Sequence, residues 1–151
     1  MIVIVAFALV AVTVAIHAVG LAALYAAMVR RDVLRIRSYW VTTRQLIVAT
    51  WVLTMVHVLE IAVWAVCYWS LGCLPDLESA LYFSGVTYAT IGFGDIVLPQ
   101  PWRLLAPIEG LVGILMAGLS TGFFFAVITQ IYANARPGQM PFNGGRGDRP
   151  S

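Results

Sequence analysis

The sequence predicts an all-α membrane protein with three transmembrane helices and a shorter re-entrant helix between the second and the third. Three observations lead to this prediction. The chain of 151 residues is 61% hydrophobic and only 11% charged, whereas soluble domains are about 25% charged. Three apolar runs reach the roughly 20 residues that a helix needs to cross a bilayer. A fourth run of helical composition has about half that length.

The three long runs cover residues 1–29, about 45–71 and about 102–133. A secretory signal is an alternative interpretation of the first run. Its basic residues follow the apolar stretch rather than precede it, and the run is longer than the apolar part of a signal peptide. We therefore interpret all three runs as transmembrane helices.

The short run, Glu78 to Ala89, contains no proline and a single glycine. Twelve helical residues rise about 18 Å, so this helix is expected to enter the membrane only half-way. Asp76 stands just before it and is expected to cap its free amide groups. Glu78 suits the positive end of the helix dipole.

The basic residues predict the orientation in the membrane. All nine are arginine, and the positive-inside rule assigns arginine-rich loops to the cytoplasm. The N-terminus is therefore predicted outside the cell membrane, the C-terminus in the cytoplasm, and the region before the third helix outside. No span carries a regular row of arginines, so a voltage sensor is not expected. Two clusters carry this argument: Arg30, Arg31, Arg35, Arg37 and Arg44 after the first run, and Arg136, Arg146 and Arg149 after the third.

The segment Thr90-Ile91-Gly92-Phe93-Gly94-Asp95 follows the short helix. Irregular backbone at membrane depth occurs only inside protein or beside a water-filled path. The two glycines permit backbone angles that a side chain would forbid, so successive carbonyl oxygens can face one axis. Rings of such carbonyls replace the water shell of a cation. One chain supplies one side of a ring, so four chains are expected to complete it.

This segment resembles the signature of potassium channels, and the similarity extends over roughly Leu77 to Ile131. The chain is similar to small bacterial potassium channels of the two-helix pore-domain family, with an additional N-terminal transmembrane helix. The resemblance implies a homotetramer in membrane lipid that conducts K⁺ passively, with no cofactor, no catalytic residue and no nucleic-acid partner. The resemblance also implies which residues bind the ion. The carbonyl oxygens of Thr90, Ile91, Gly92 and Phe93, with the Thr90 hydroxyl, bind K⁺, while Gly94 and Asp95 support the filter and form its outer mouth.

The segment departs from the family pattern at two positions. The common aromatic is tyrosine, and Phe93 has no hydroxyl to tie the filter to its surroundings. The residue before the filter threonine is often a second threonine, and Ala89 changes the surroundings on the cavity side.

We divide the chain into three regions. Residues 1–44 form an N-terminal outer transmembrane helix and a basic cytoplasmic linker. Residues 45–133 form a pore domain with outer helix, pore helix, filter and inner helix. Residues 134–151 are rich in glycine, proline and arginine and are predicted to be a disordered cytoplasmic tail.

The third long run carries candidates for gating and support. Gly113, Gly118 and Gly122 are candidate hinges, although close helix packing explains small residues equally well. Thr121 either faces a water-filled cavity or bonds back to its own helix. Glu109 is expected level with the filter, where it would support the pore helix.

His17, His57 and Glu60 are predicted to form a polar cluster within the membrane. His57 and Glu60 are three residues apart and therefore share one helix face, and His17 lies near mid-depth on the first run. Ionisable groups inside spans are usually paired or functional. Two interpretations remain open: a pH-responsive cluster, or a structural hydrogen bond between the first two spans. A row of alanines on the first run, Ala11 to Ala26, is expected to be its packing face.

Two classes of function remain. The first is a potassium-selective channel. The second is a non-conducting membrane subunit, regulatory or structural, that retains a pore-like loop. An enzyme is not expected, because the sequence has no nucleophile–base pair, metal-ligand spacing or phosphate-binding loop.

Overall fold

The computed structural model describes residues 1–30 and 39–133. Its helices are α1 (Ile2–Arg30), α2 (Tyr39–Ser70), α3 (Leu77–Tyr88) and α4 (Leu105–Ala133), and a short 3-10 helix (Trp102–Leu104) precedes α4. Three stretches are long and apolar enough to cross a membrane: Ile2–Arg30, Trp40–Ser70 and Trp102–Ile131. The predicted all-α membrane fold is confirmed. The predictions for the arginine-rich linker beyond residue 30 and for the tail from residue 134 lie outside the described residues.

The second span begins earlier than its apolar run. The sequence predicts a start near residue 45, and α2 begins at Tyr39. Hydropathy locates the part of a helix that lies in lipid, whereas the backbone stays helical past the lipid boundary until a breaker ends it. The re-entrant helix differs from its prediction by one residue at each end.

Gly72 ends α2. Its φ of 67° is left-handed, a conformation that glycine adopts without a Cβ clash. Its N–H donates to the carbonyl oxygen of Trp69 at 3.0 Å, and the N–H of Cys73 donates to that of Tyr68 at 2.9 Å. This pair of bonds is a Schellman motif. It turns the chain out of α2 and toward α3.

The long helices alternate in direction. Trp64 donates from Nε1 to Thr13 Oγ1 at 2.9 Å, and further along α1 Gly20 lies against Val56. Residue numbers rise on α1 as they fall on α2, so the two helices are antiparallel.

Two clusters of buried apolar residues lie at opposite ends of the long helices. One is built around Trp64, Tyr68, Phe83, Leu98 and Leu105, the other around Leu24, Met28, Ala49, Leu53, Val127 and Ile131. The second cluster shows that α4 runs parallel to α1.

The buried face of α1 is not the alanine row. The alanines Ala11, Ala15, Ala18, Ala22 and Ala26 are all exposed in this chain, so the prediction that they pack against the other helices is wrong for the described residues. The packed face instead carries the polar side chains, because buried polar groups need partners that only neighbouring helices supply. Its buried members are Ala6, Leu9, Thr13, His17, Leu24 and Met28.

Candidate functional site

Asp76 starts α3 as predicted. Its carboxylate accepts a hydrogen bond from the backbone N–H of Ser79 at 2.7 Å and a second from the Ser79 hydroxyl at 2.9 Å. These bonds stabilise the charged form and hold the pKa of the Asp76 carboxyl below its ordinary value. The cap thereby fixes the first turn of the short helix.

Thr90 ends α3 in the same way that Gly72 ends α2. The Thr90 N–H donates to the carbonyl oxygen of Thr87, and the Ile91 N–H donates to that of Val86, both at 2.9 Å. This is again a Schellman motif, but its left-handed position holds a β-branched residue with φ of 58°. Such a residue rarely adopts a positive φ, and a strained position of this kind costs about 1–3 kcal/mol. The surrounding bonds hold it there.

The backbone of the segment Thr90 to Asp95 alternates in handedness. Positive φ values occur at Thr90 (58°), Gly92 (57°) and Gly94 (79°), and among the described residues no other non-glycine residue has a positive φ. Positive and negative φ values therefore alternate from Thr90 to Gly94. Alternation of this kind turns successive peptide groups the same way, N–H to one side and C=O to the other.

One side of this segment is open. The side chains of Ile91 and Phe93 are 56% and 68% exposed, and a Cβ added at Gly92 or Gly94 would meet nothing within 4 Å. Between the segment, α3 and the start of α4 lies a cavity of about 550 Å³. Its walls include Tyr82, Val86, Thr87, Phe93, Arg103 and Pro107.

Two side-chain bonds hold the part of the loop that follows Gly94. The Tyr82 hydroxyl, from the middle of α3, donates to Asp95 Oδ2 at 2.8 Å. The Arg103 Nε donates to the carbonyl oxygen of Leu98 at 3.2 Å. Asp95 is thus tied to α3, and the stretch that follows the segment is tied to the 3-10 helix before α4.

The glycines of α4 fall into two groups. A Cβ on Gly113 would stand 3.3 Å from Tyr88 Cα and closer still to its carbonyl group, and one on Gly110 would stand 3.4 Å from the carbonyl oxygen of Thr87. These two positions let α4 approach the end of α3. Gly118 and Gly122 have nothing within 4 Å of an added Cβ. Close packing therefore explains Gly113 in this chain, and it does not explain Gly118 or Gly122.

Thr121 bonds back to its own helix. Its hydroxyl donates to the carbonyl oxygen of Ala117 at 2.9 Å. The hydroxyl hydrogen is therefore used within α4, although the side chain itself is exposed in this chain.

Glu109 is fully buried and lies between α2 and α3. The Tyr68 hydroxyl donates to Glu109 Oε2 at 2.7 Å. Ser84 Oγ lies 2.5 Å from Glu109 Oε1 and 2.9 Å from the carbonyl oxygen of Ile61. The carboxyl group thus joins α4 to α3 and to the end of α2.

His17, His57 and Glu60 lie together at mid-length of the long helices, and their ligand atoms are all within 4.8 Å of one another. His17 Nδ1 is 3.0 Å from Glu60 Oε1, and His57 Nδ1 is 3.4 Å from Glu60 Oε2. Tyr88 of α3 and Ser120 of α4 complete the group. We call these five residues the polar cluster. It joins all four α-helices.

The sequence did not predict three of the residues that make these contacts between helices. Tyr88 and Ser120 belong to the polar cluster, and Gly110 belongs to the contact of α4 with α3. Serine and tyrosine are common in spans, so only the fold identifies these two. The spacing of Gly110 and Gly113 by three residues was a usable signal, because it places both on one helix face.

Comparison with known proteins bears on the same part of the chain. A family model described as "Ion channel" matches residues 48–130, more than half of the chain. The match covers most of α2, all of α3, the segment after it and nearly all of α4, and it leaves α1 outside. Comparison with curated proteins finds no match, and neither does comparison with solved structures.

Proposed function

The chain belongs to the ion channel family, and from this premise we propose that it is one of four identical subunits of a potassium-selective channel. In this proposal the filter is the segment Thr90 to Asp95. K⁺ is bound by the carbonyl oxygens of Thr90, Ile91, Gly92 and Phe93, with the Thr90 hydroxyl.

The alternating backbone of this segment carries the proposal. Left-handed residues at Thr90, Gly92 and Gly94 bring successive carbonyl groups to one side of the strand. A row of carbonyl oxygens at membrane depth has no hydrogen-bond donors in lipid and needs another partner. A dehydrated cation is such a partner, and carbonyl rings of this kind are the filters of potassium channels.

The short helix adds an electrostatic contribution. The twelve residues of α3 end directly at Thr90, so the negative end of the helix dipole lies beside the start of the filter. A cation that enters from the filter meets this partial charge from each subunit.

Fourfold assembly follows from the open side of the segment. Ile91 and Phe93 are more than half exposed in one chain, although both are large apolar residues in a membrane protein. Three further copies around one axis would face the carbonyl row and cover this surface. Gly118 and Gly122 have free space around them, and in the tetramer we assign them to the inner pore as hinge or cavity positions.

Orientation follows from the packing of the helices. Arg30 ends α1 and Arg44 lies near the start of α2. The filter begins near mid-length of the long helices, and the chain continues from it toward the opposite end, where Leu98 packs with Trp64 and Leu105. The positive-inside rule assigns the arginine end to the cytoplasm. We therefore propose that the filter faces outward and that the N-terminus is outside.

Ion flux into liposomes tests this function. Purified protein is reconstituted, and K⁺ and Na⁺ uptake are measured with and without Ba²⁺. We expect K⁺ uptake that Ba²⁺ blocks, with little Na⁺ uptake. The test variant is Gly92→Ala, which places a Cβ at φ of 57° and should abolish flux while the tetramer persists.

Gly85→Ala is the matched control. Gly85 lies within α3, and its added Cβ would meet only Ile61 Cγ2 at 4.0 Å, so flux should be retained. If the wild-type protein shows no K⁺ flux and its particles are not fourfold, the channel proposal fails and the chain is a non-conducting membrane subunit.

A further inference from the structure

The polar cluster is held by five short contacts between side chains. His17 Nδ1 meets Glu60 Oε1 at 3.0 Å, and the Tyr88 hydroxyl donates to Glu60 Oε2. His57 Nδ1 meets the Tyr88 hydroxyl oxygen at 3.0 Å. Ser120 Oγ meets two imidazole nitrogens, His57 Nε2 at 3.2 Å and His17 Nε2 at 3.3 Å. Each of these five contacts is within hydrogen-bonding reach, and each becomes a hydrogen bond only when one hydrogen lies between its two atoms.

The side chains do not bring enough hydrogens for five contacts. An ionised carboxylate brings none, each neutral imidazole brings one N–H, and each hydroxyl brings one O–H. With Glu60 ionised and both histidines neutral, four hydrogens serve five contacts. The cluster is complete only with one further proton.

The missing hydrogen can be located. While Glu60 is ionised and accepts from the Tyr88 hydroxyl, His17 Nδ1 must donate to Glu60 and His57 Nδ1 must donate to Tyr88. Neutral histidines would then both present a bare Nε2 to Ser120. One hydroxyl cannot donate to two nitrogens. When a proton is added, one Nε2–H donates to the Ser120 oxygen, and the Ser120 hydroxyl donates to the other Nε2. Transfer of the added proton to Glu60 gives a second arrangement with the same five bonds.

The balance of charge also favours one extra proton in the cluster. With the added proton the charges of the cluster sum to zero, and without it an unbalanced carboxylate is buried at membrane depth, which is costly. His17 and Glu60 are fully buried, and the His57 side chain is 23% exposed. The titratable groups that face the cluster are the two histidines and Glu60 themselves, Tyr88 of α3, and Glu109 of α4, which adds a second acidic group rather than a compensating one.

We propose that the polar cluster is a binding site for one proton, shared by Glu60, His17 and His57. When the proton is bound, an unbroken set of hydrogen bonds joins α1, α2, α3 and α4. When it leaves, one of the two contacts between Ser120 and an imidazole loses its hydrogen. The same cluster includes Tyr88, which stands two residues before the proposed filter. This inference goes beyond ion conduction and does not depend on it.

A transition metal fits the same three ligands less well. Two ligands at 2.0–2.1 Å from a tetrahedral ion stand about 3.4 Å apart, and His17 Nδ1 and Glu60 Oε1 are only 3.0 Å apart. The Tyr88 and Ser120 hydroxyls also occupy the lone pairs that a metal would need. The distances match hydrogens between the atoms rather than an ion among them.

The protein has only two histidines, and both belong to the cluster, which makes the test direct. The full chain is labelled with ¹⁵N-histidine, and the imidazole nitrogens are observed by NMR near pH 7, alongside the infrared band of protonated carboxyl groups. We expect one extra proton per chain, seen as one imidazolium or as a protonated Glu60. Two neutral imidazoles with an ionised Glu60 would overturn the proposal, and this result needs the wild-type protein alone.

Glu60→Gln is the matched variant. A glutamine amide donates to His17 and its oxygen accepts from Tyr88, so all five contacts are filled without an added proton. The extra proton should disappear in Glu60→Gln and remain in Glu109→Gln. If the extra proton persisted in Glu60→Gln, the proposal would be overturned. It would also be overturned if elemental analysis found one equivalent of bound zinc in the wild-type protein. Neither readout measures ion flux, so failure here is separate from failure of the channel proposal.

Discussion

Gly113 of α4 lies against the backbone of Tyr88, so closely that a Cβ on Gly113 would stand 3.0 Å from the Tyr88 carbonyl carbon. This is the point at which α4 meets the end of α3, two residues before the alternating segment begins. Because the neighbour is backbone rather than a flexible side chain, a larger residue can be accommodated only by moving one helix.

We therefore expect Gly113→Ala to disrupt the fold. Overpacking usually costs about 1–3 kcal/mol, and a clash with backbone belongs at the upper end of that range. Gly118→Ala is the control, because nothing lies within 4 Å of its added Cβ. The thermal melting temperature of the purified protein in detergent measures both. Equal melting temperatures for the two variants would contradict the contact.

The contact between α1 and α2 can be tested by a double-mutant cycle. A Cβ on Gly20 would stand 2.7 Å from Val56 Cγ2, so Gly20→Ala should destabilise the protein by about 1–3 kcal/mol. Val56→Ala removes the obstructing methyl groups. The double variant should therefore be more stable than the sum of the single changes predicts, with a coupling of about 0.5–3 kcal/mol.

Ala18→Val is the control for this cycle, because Ala18 lies on the exposed side of α1. It should change stability little on either background. Additive effects of Gly20→Ala and Val56→Ala would mean that α1 does not pack on α2 in this register.

Glu109 is expected to tolerate an amide. Ser84 Oγ is close to two acceptors, Glu109 Oε1 and the carbonyl oxygen of Ile61, and its single hydrogen serves only one. A protonated Glu109 would donate to Ser84 and free the Ser84 hydroxyl for Ile61. Glutamine reproduces this pattern, so Glu109→Gln should keep nearly wild-type stability.

Glu109→Ala should behave differently, because it leaves the Tyr68 hydroxyl without its acceptor and opens a cavity. Each buried polar group without a partner costs about 1–3 kcal/mol. Unfolding in denaturant compares the two variants. If Glu109→Gln lost as much stability as Glu109→Ala, an ionised carboxylate would be required at this position.

Acid should weaken the start of α3. Hydrogen bonds from Ser79 lower the pKa of the Asp76 carboxyl below its ordinary value of 3.8. A lowered pKa in the folded state means that the charged cap stabilises the fold above pH 3.8 and that this contribution disappears as the pH falls through the folded-state pKa. Asp76→Asn keeps an acceptor without the charge. Its melting temperature should be below that of the wild-type protein at pH 6, and this difference should shrink as the pH falls below 3.8; a difference that does not change with pH would contradict this assignment.

Composition and local spacing were sufficient to predict the helices and the cap at Asp76. These features depend on the length of apolar runs and on neighbours in the chain. The rotation of each span about its axis was not predictable, because apolar side chains surround every span and no period marks the packed side. For this reason the alanine row of α1, which the sequence predicts to be its packed face, is exposed within one chain.

In the candidate site, too, local patterns are predictable from the sequence, whereas contacts between helices are not. The glycines of the segment Thr90 to Asp95 and the pairing of His57 with Glu60 are local patterns. The contacts of Glu60 with His17, 43 residues away, and of Ser120 with both histidines depend on the register between helices. Register is fixed by close contacts such as Gly20 with Val56, which only the folded chain reveals.

The polar cluster also constrains how this chain can have evolved. Glu60 lies within the part of the chain that the family shares, and its partner His17 lies on α1, outside that part. A relative that lacks α1 would leave one oxygen of this carboxylate facing hydrocarbon without a donor. We therefore expect an acid at position 60 to accompany the first helix among relatives, and relatives that lack the helix to carry an apolar residue there; an alignment of such relatives tests this.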